Sequence, residues 1–144
     1  MEPYPEQLQI QVEVPKGGRI KRGPDGHIDF ISPFPCPFNY GSVIGSTALD
    51  GDPEDALIVG GRIAIGEFVD STVWGRVNFL DAGVADHKWV CGPRAPTENE
   101  WLIIRLFFRN YVWAKRILYW IRATSGRVEY LGIERFAVVD NEPR

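Results

Sequence analysis

Asp50-Gly51-Asp52-Pro53-Glu54-Asp55 sets four carboxylates into six residues, between Ala48-Leu49 and Ala56-Leu57-Ile58-Val59. Both flanks read as strands, so the acids fall where the chain is about to be buried. Carboxylates this close repel one another, and burying them unpaired is costly. A hard divalent cation relieves both problems, since Mg²⁺ takes oxygen ligands and keeps several waters. Gly51 allows a tight backbone path and Pro53 fixes its own φ. Asp50 and Asp52 have the extended-chain spacing that lets both carboxylates point the same way. The same residue types also build ordinary acidic surface turns, and this stretch alone slightly favours that reading. An EF-hand is disfavoured, because the Gly and closing Glu are missing at the required offsets.

Working outward, residues 8–14 alternate strictly: Leu8, Ile10, Val12 and Val14 line one face of a strand, and Gln9, Gln11 and Glu13 the other. Arg19-Ile20-Lys21-Arg22, the turn Gly23-Pro24-Asp25-Gly26 and a return strand from His27 to Ile31 predict a hairpin. The rigid Pro33-Phe34-Pro35-Cys36-Pro37-Phe38 leads through Asn39-Tyr40-Gly41 to a strand at 42–49 that enters the acidic turn. Beyond the turn, 56–59 is a short buried strand ended by Gly60-Gly61, and Val73 to Leu80 is another, ending at Asp81. The loop Asp81 to Lys88 carries an acid at each end, at Asp81 and Asp86, with Lys88 two residues on; Trp89-Val90-Cys91 returns as a strand.

Thr97 with Glu100 three residues later is a capping box. It opens a helix predicted from about Glu98 to Thr124, stopped by Ser125-Gly126. Arg105, Arg109, Lys115 and Arg116 interrupt the helix and argue against a membrane span. Trp101, Phe107, Trp113, Leu118 and Trp120 cover more than one of its faces, which predicts a homo-oligomer burying the remainder. A last alternating strand is expected at 128–139. Many short strands, one long helix and no βαβ rhythm predict a mainly β, α+β architecture: a β-barrel with a long C-terminal helix packed on it.

The 144 residues fit one domain, 1–144, with a real core. A net charge of −3 gives no basic footprint for nucleic acid, so an anionic substrate needs local positive charge or metal. Cys36 and Cys91 lack metal-site spacing and read as buried reduced thiols. His27 and His87 are isolated and read as non-ligands. Met1-Glu2-Pro3-Tyr4-Pro5 has neither a basic start nor an apolar core, which argues against a signal peptide and predicts a cytoplasmic protein.

Several of these pieces, in order, resemble the soluble family I inorganic pyrophosphatases. They are Val12-Glu13-Val14-Pro15, Ile20-Lys21, Pro37-Phe38-Asn39-Tyr40-Gly41, Leu49 to Asp55, Asp81 to Lys88 and Phe107-Phe108-Arg109-Asn110-Tyr111. The resemblance implies an OB-like five-stranded β-barrel with the active site in a cavity on it. It implies Asp50, Asp55 and Asp86 as ligands of a tightly held metal, with Asp81 and Glu13 as ligands of further metals and Asp86 bridging. Asp52 is implied as the base that takes a proton from the metal-bound water. Lys21, Tyr40, Lys88 and Tyr111 are implied as phosphate contacts. The implied reaction is Mg²⁺-dependent hydrolysis of inorganic pyrophosphate to two phosphates, with Mn²⁺ able to substitute. By analogy with bacterial relatives the assembly is a hexamer.

The chain departs from the family pattern at three charged positions. The metal-binding Glu two residues after Lys21 is Gly23, the family's phosphate-binding Arg is missing from Ile28-Asp29-Phe30, and the Lys after the helix Tyr is Val112. These losses keep two alternatives open: a homologue without this turnover that serves as a binding or assembly subunit, or an enzyme for a different substrate. The lost grip has two candidate replacements. Lys115 lies four residues after Tyr111 on the same helical stripe, and Arg19 shares a strand face with Lys21.

Overall fold

The first strand, β1 (Gln7–Val14), buries Ile10, Val12 and Val14 on the face its alternation predicts. It is followed by β2 (Ile20–Arg22), β3 (Ile28–Ile31), β4 (Asn39–Val43), β5 (Asp55–Ile58), β6 (Phe68–Asp81), β7 (Val84–Ala85), β8 (Lys88–Gly92), helix α1 (Glu98–Ile121) and β9 (Glu129–Arg135). The computed structural model describes residues 5–22, 28–31, 35–46, 53–81, 83–121 and 128–136. Asp50, Asp52, Gly23, the predicted hairpin turn and the helix stop at Ser125-Gly126 lie outside the described residues.

Strand pairing runs β1–β4–β5–β8–β6, and β6 returns to β1, so five strands close into a ring. The β5–β8 pair is parallel, with Asp55 opposite Lys88; the other described pairings are antiparallel. β7 and β9 extend the ring from β6, while β2 and β3 form a separate hairpin. The architecture is mostly β with one long helix, as the element pattern predicts. Among the described residues no helix is long and apolar enough to cross a membrane.

Two apolar clusters line the ring. Ile10, Val12, Val43, Ala56, Ile58, Val73, Trp89 and Cys91 form one. The other joins Val14, Phe38, Tyr40, Leu57, Val77, Phe79 and Val90 to the helix residues Trp101, Ile104, Phe108 and Val112. β1 shifts register between Val12 and Val14, and β6 between Val73 and Gly75. Each strand passes from the first cluster to the second at that point, which is how an irregular step lets one strand serve two layers. Helix α1 presents its buried residues at i, i+3, i+7 and i+11, one stripe along its length. Phe108 anchors it, stacked on Phe38 at 5.9 Å and edge-on to Phe79 at 6.3 Å between ring centroids.

Asn39 is fully buried and bonded on both sides of its amide. Its Oδ1 accepts from the Lys16 and Ile63 backbone amides (3.0 and 2.8 Å), and its Nδ2 donates to the Ile58 and Gly61 carbonyls (3.3 and 2.8 Å). One side chain thereby ties two loops to β4, which explains a fully buried polar residue at the start of a packed strand. Cys36 and Cys91 are free and buried as predicted, and burial pushes their thiols up to about 11 and about 12.

The predicted capping box is present. The Glu100 amide donates to Thr97 Oγ1 (3.1 Å), and the Thr97 amide donates to Glu100 Oε1 (3.0 Å). Thr97→Ala should therefore lower unfolding free energy by about 1 kcal/mol in a denaturant titration. Gly75 is held small by its neighbours: an added Cβ would lie 2.5 Å from the Glu134 carbonyl oxygen and 2.7 Å from the Trp101 ring. Gly75→Ala should cost roughly 1–3 kcal/mol, with a shifted Trp emission maximum as the indole is displaced.

Candidate active site

β6 delivers a stripe of alternating inward residues, Ser71, Val73, Gly75, Val77 and Phe79, and Asp81 ends it. Gly83 then takes a left-handed φ of 79°, which returns the chain as β7, where Val84 pairs with Asp81. The Asp86 amide donates to the Phe79 carbonyl (2.8 Å), fixing the loop that leads to Lys88. On the neighbouring strand Asp55 opens β5 opposite Lys88.

Lys88 is the centre of the resulting cluster. Its side chain is 2% exposed, and Nζ donates to Asp55 Oδ2 (3.1 Å) and Asp86 Oδ2 (3.0 Å). The ammonium also lies 5.7 Å from the Tyr40 ring centroid and 5.6 Å from that of Phe79. Burial alone would lower its pKa; Tyr40, Asp55, Asp86 and Tyr111 overcome this and hold it well above the usual lysine value. Burial, with Asp55 adding to it, pushes the Tyr40 phenol well above its ordinary value, and burial raises Tyr111 as well. Both phenols are therefore neutral hydrogen-bond donors at physiological pH.

The predicted site residues fall into three groups. Tyr40, Asp55, Asp81, Asp86, Lys88 and Tyr111 are brought together by the ends of β4, β5, β6 and β8 and by the middle of α1. Glu13 lies one strand away, where Ser42 Oγ donates to its Oε1 at 2.7 Å; Ser42 in turn pairs with Asp55. Lys21 belongs to β2, with its side chain outside the description, and Asp50 and Asp52 are outside the described residues altogether. Lys115 does reach the site. Its Nζ lies 3.4 Å from Asp81 Oδ2 and 5.8 Å from the Tyr111 ring centroid. Arg19 is exposed before β2, without an ion pair among the described residues. Val112 is buried in the helix-facing cluster.

Two participants escaped the sequence reading. Ser42 carries no signal beyond its strand, and its bond to Glu13 is a product of β1–β4 pairing. Phe79 was legible in principle, since it stands two residues before Asp81 on the same face of β6.

Among the described residues no three His, Cys, Asp or Glu side chains converge as a metal cage. The donor chemistry nevertheless suits a hard divalent ion. Asp55 and Asp86 offer carboxylate oxygens and already converge on one positive charge.

Comparison with known proteins gives the family and the fold. The profile of the Pyrophosphatase family, described as inorganic pyrophosphatase, covers residues 10–115. The chain belongs to that family. It is 31% identical over 103 residues to an inorganic pyrophosphatase of Halalkalibacterium halodurans, covering 66% of this chain and 61% of that protein. It is 28% identical over 102 residues to the enzyme of that name from Saccharolobus solfataricus, covering 65% and 59%. The chain thus spans about 60% of the length of these relatives. The solved inorganic pyrophosphatase of Thermus thermophilus superposes with a TM-score of 0.73 at 21% identity, covering 94% of this chain and 86% of that one. The Neisseria gonorrhoeae structure gives 0.70 at 24% identity, covering 90% and 83%. The ring with its helix is the OB-like pyrophosphatase fold.

Replacing Lys88 by Met leaves Asp55 and Asp86 as buried like charges. In metal-free buffer at neutral pH, Lys88→Met should lose about 3–5 kcal/mol of stability by thermal or chemical unfolding. Because the folded-state pKa of Lys88 is raised, its contribution is complete below the unfolded lysine value and fades only as pH rises through the folded one. The deficit should therefore be constant across neutral pH.

Proposed function

We propose that this chain hydrolyses inorganic pyrophosphate to two phosphates with Mg²⁺, and that Mn²⁺ substitutes. The observation that carries this reading is the Lys88 cluster, two carboxylates and two neutral phenols around one buried ammonium within the family segment. Asp55 and Asp86, with Asp50, hold the tight ion; Asp81 and Glu13 serve further ions. Bound divalent ions supply charge neutralisation on phosphate oxygens and acidify water. The chain's own groups do the remainder. Asp52 accepts the proton of the attacking water. Tyr40 and Tyr111 donate hydrogen bonds to phosphate oxygens, and Lys21 and Lys88 place positive charge where the leaving phosphate gathers negative charge. The protein works in the cytoplasm.

A second reading, a binding subunit without turnover, draws support from Val112, buried where the family pattern has a lysine. Phosphate release from pyrophosphate in Mg²⁺ separates the two. Turnover by the wild-type protein, reduced roughly 10²–10⁴-fold in Asp52→Asn with the fold intact, is the expected result. Titration calorimetry should show tight Mg²⁺ binding by wild type and its loss in Asp55→Asn. Intact Mg²⁺ binding without turnover would favour the binding subunit.

The helix also leaves Leu102, Ile103 and Leu106 exposed at 40, 38 and 47% in the single chain. This outward face supports a homo-oligomer. Light scattering should give a mass that is a multiple of 16.3 kDa; a monomer at micromolar concentration would reject the assembly.

A further inference from the structure

Glu13 owes its place to an irregular step in β1. Val12 pairs with Gly41 and Val14 with Tyr40, so Glu13 is the extra residue of a β-bulge, and bulges re-aim side chains. The main chain beside it is held on both edges. Toward β6, the Val12 amide donates to the Glu67 carbonyl (2.9 Å) and the Val12 carbonyl accepts from the Gly66 amide (2.7 Å). Toward β4, a Cβ added at Gly41 would collide with the Gln11 carbonyl, so the two strands run close just before Glu13 leaves β1.

Ser42 meets the carboxylate that this step presents. Its Oγ donates to Glu13 Oε1 at 2.7 Å, and both residues are half-buried. A hydroxyl bonded to an ionised carboxylate makes a stronger bond than a neutral pair does, and it restrains a side chain that otherwise has several rotatable torsions. Ser42 also pairs with Asp55 across β4 and β5, and Asp55 pairs with Lys88 across β5 and β8. Glu13, Ser42, Asp55 and Lys88 thus make one row over four neighbouring strands. A β1 side chain that bonds to β4 leans along this row toward Asp55. Glu13 has another interaction besides Ser42. A carboxylate offers about four lone-pair sites, enough to accept from Ser42, keep its other contact and meet a cation.

We propose that Ser42 is a positioning residue for Glu13: its hydroxyl turns the carboxylate toward the Asp55 side of the row, the orientation in which Glu13 serves a further divalent ion. The inference rests on the pyrophosphatase reading, which gives Asp55 the tight ion and Glu13 a weaker one. It adds the group that sets how well the weaker site is formed. A partner that bonds a ligand from behind fixes its orientation before the ion arrives, and losing such a partner weakens the site without removing it. Ser42 touches neither ion nor substrate in this role and acts through Glu13 alone.

The test is titration calorimetry of Mg²⁺ into metal-free protein, which separates a tight class of sites from a weaker one. Ser42→Ala should weaken the weaker class about tenfold, while the tight site assigned to Asp50, Asp55 and Asp86 keeps its affinity. Ser42→Thr retains the hydroxyl and should restore wild-type binding. Glu13→Gln should weaken the same class at least as much. The double variant Ser42→Ala/Glu13→Gln should then lose nothing more, because the hydroxyl acts through Glu13. Turnover lost in Ser42→Ala should return when Mg²⁺ is raised about tenfold, which a general loss of stability would not allow. If Ser42→Ala does not fold by circular dichroism, Ser42→Cys carries the test, since a thiol is a much weaker donor of similar size. An unchanged weaker class in Ser42→Ala would overturn the proposal. So would equal weakening of both classes, a loss that Ser42→Thr does not restore, a further loss in the double variant, or a wild-type protein with a single class of Mg²⁺ sites. A wild-type protein that shows the Ser42-dependent site but releases no phosphate from pyrophosphate would reject the hydrolase reading and keep the role of Ser42.

Discussion

A buried ammonium between two carboxylates is the constraint on which the site depends. Taking one charge out of water costs several kcal/mol unless partners are in place. Lys88 has them because β5 and β8 run parallel and in register, so that Asp55 opens one strand opposite Lys88 on the other. Asp86 joins from the same loop that feeds β8. The charge cluster and the ring topology therefore require each other. Without the parallel pair the ammonium would lose Asp55 and keep Asp86, and without the ammonium the two acids would face each other unneutralised.

Much of this was legible in the sequence, for local reasons. The alternation of β1, the Thr97–Glu100 cap and the spacing of Asp81, Asp86 and Lys88 are short-range patterns, and each appears in the structure. Other features were not local. β6 begins at Phe68, five residues before the predicted start, because its first residues pair with β1; Phe68 itself is 60% exposed and gives no burial signal. β4 is Asn39–Val43 rather than 42–49, since Asn39 bonds two distant loops and Gly41 admits the Gln11 carbonyl of β1 against its Cα. The last strand ends at Arg135 within the described residues, with Phe136 already beyond it. The convergence of Asp55 and Asp86 on Lys88 was foreseen only as shared membership of a site; the ion pairs themselves depend on strand order, which no spacing encodes.

The helix shows how the departures from the family pattern fit the packing. Trp101, Ile104, Phe108 and Val112 make an unbroken buried stripe. Val112 extends the apolar contact past Phe108, and the helix brings positive charge to the site at Lys115. The helix therefore divides its length between holding the ring and facing the acids, with Tyr111 at the boundary: its ring packs on Phe79 and Phe108, while Lys115 lies over it.

Closing the ring has a consequence for how the chain acquires its shape. β1 meets β6 across a gap in sequence such as Gln7 to Thr72, a separation of 65 residues, and Lys88 meets Asp55 across 33. Contacts this distant cannot form until the intervening loops have lost their freedom, so topologies of this kind fold slowly compared with helical bundles. During synthesis β1, β4 and β5 emerge before β6 and β8 can cap them, leaving the free edges of β1 and β5 exposed until more than half of the chain has been made. Glu54 and Asp55 set charge at the start of the unpaired β5 edge, and charge there discourages pairing with a second chain.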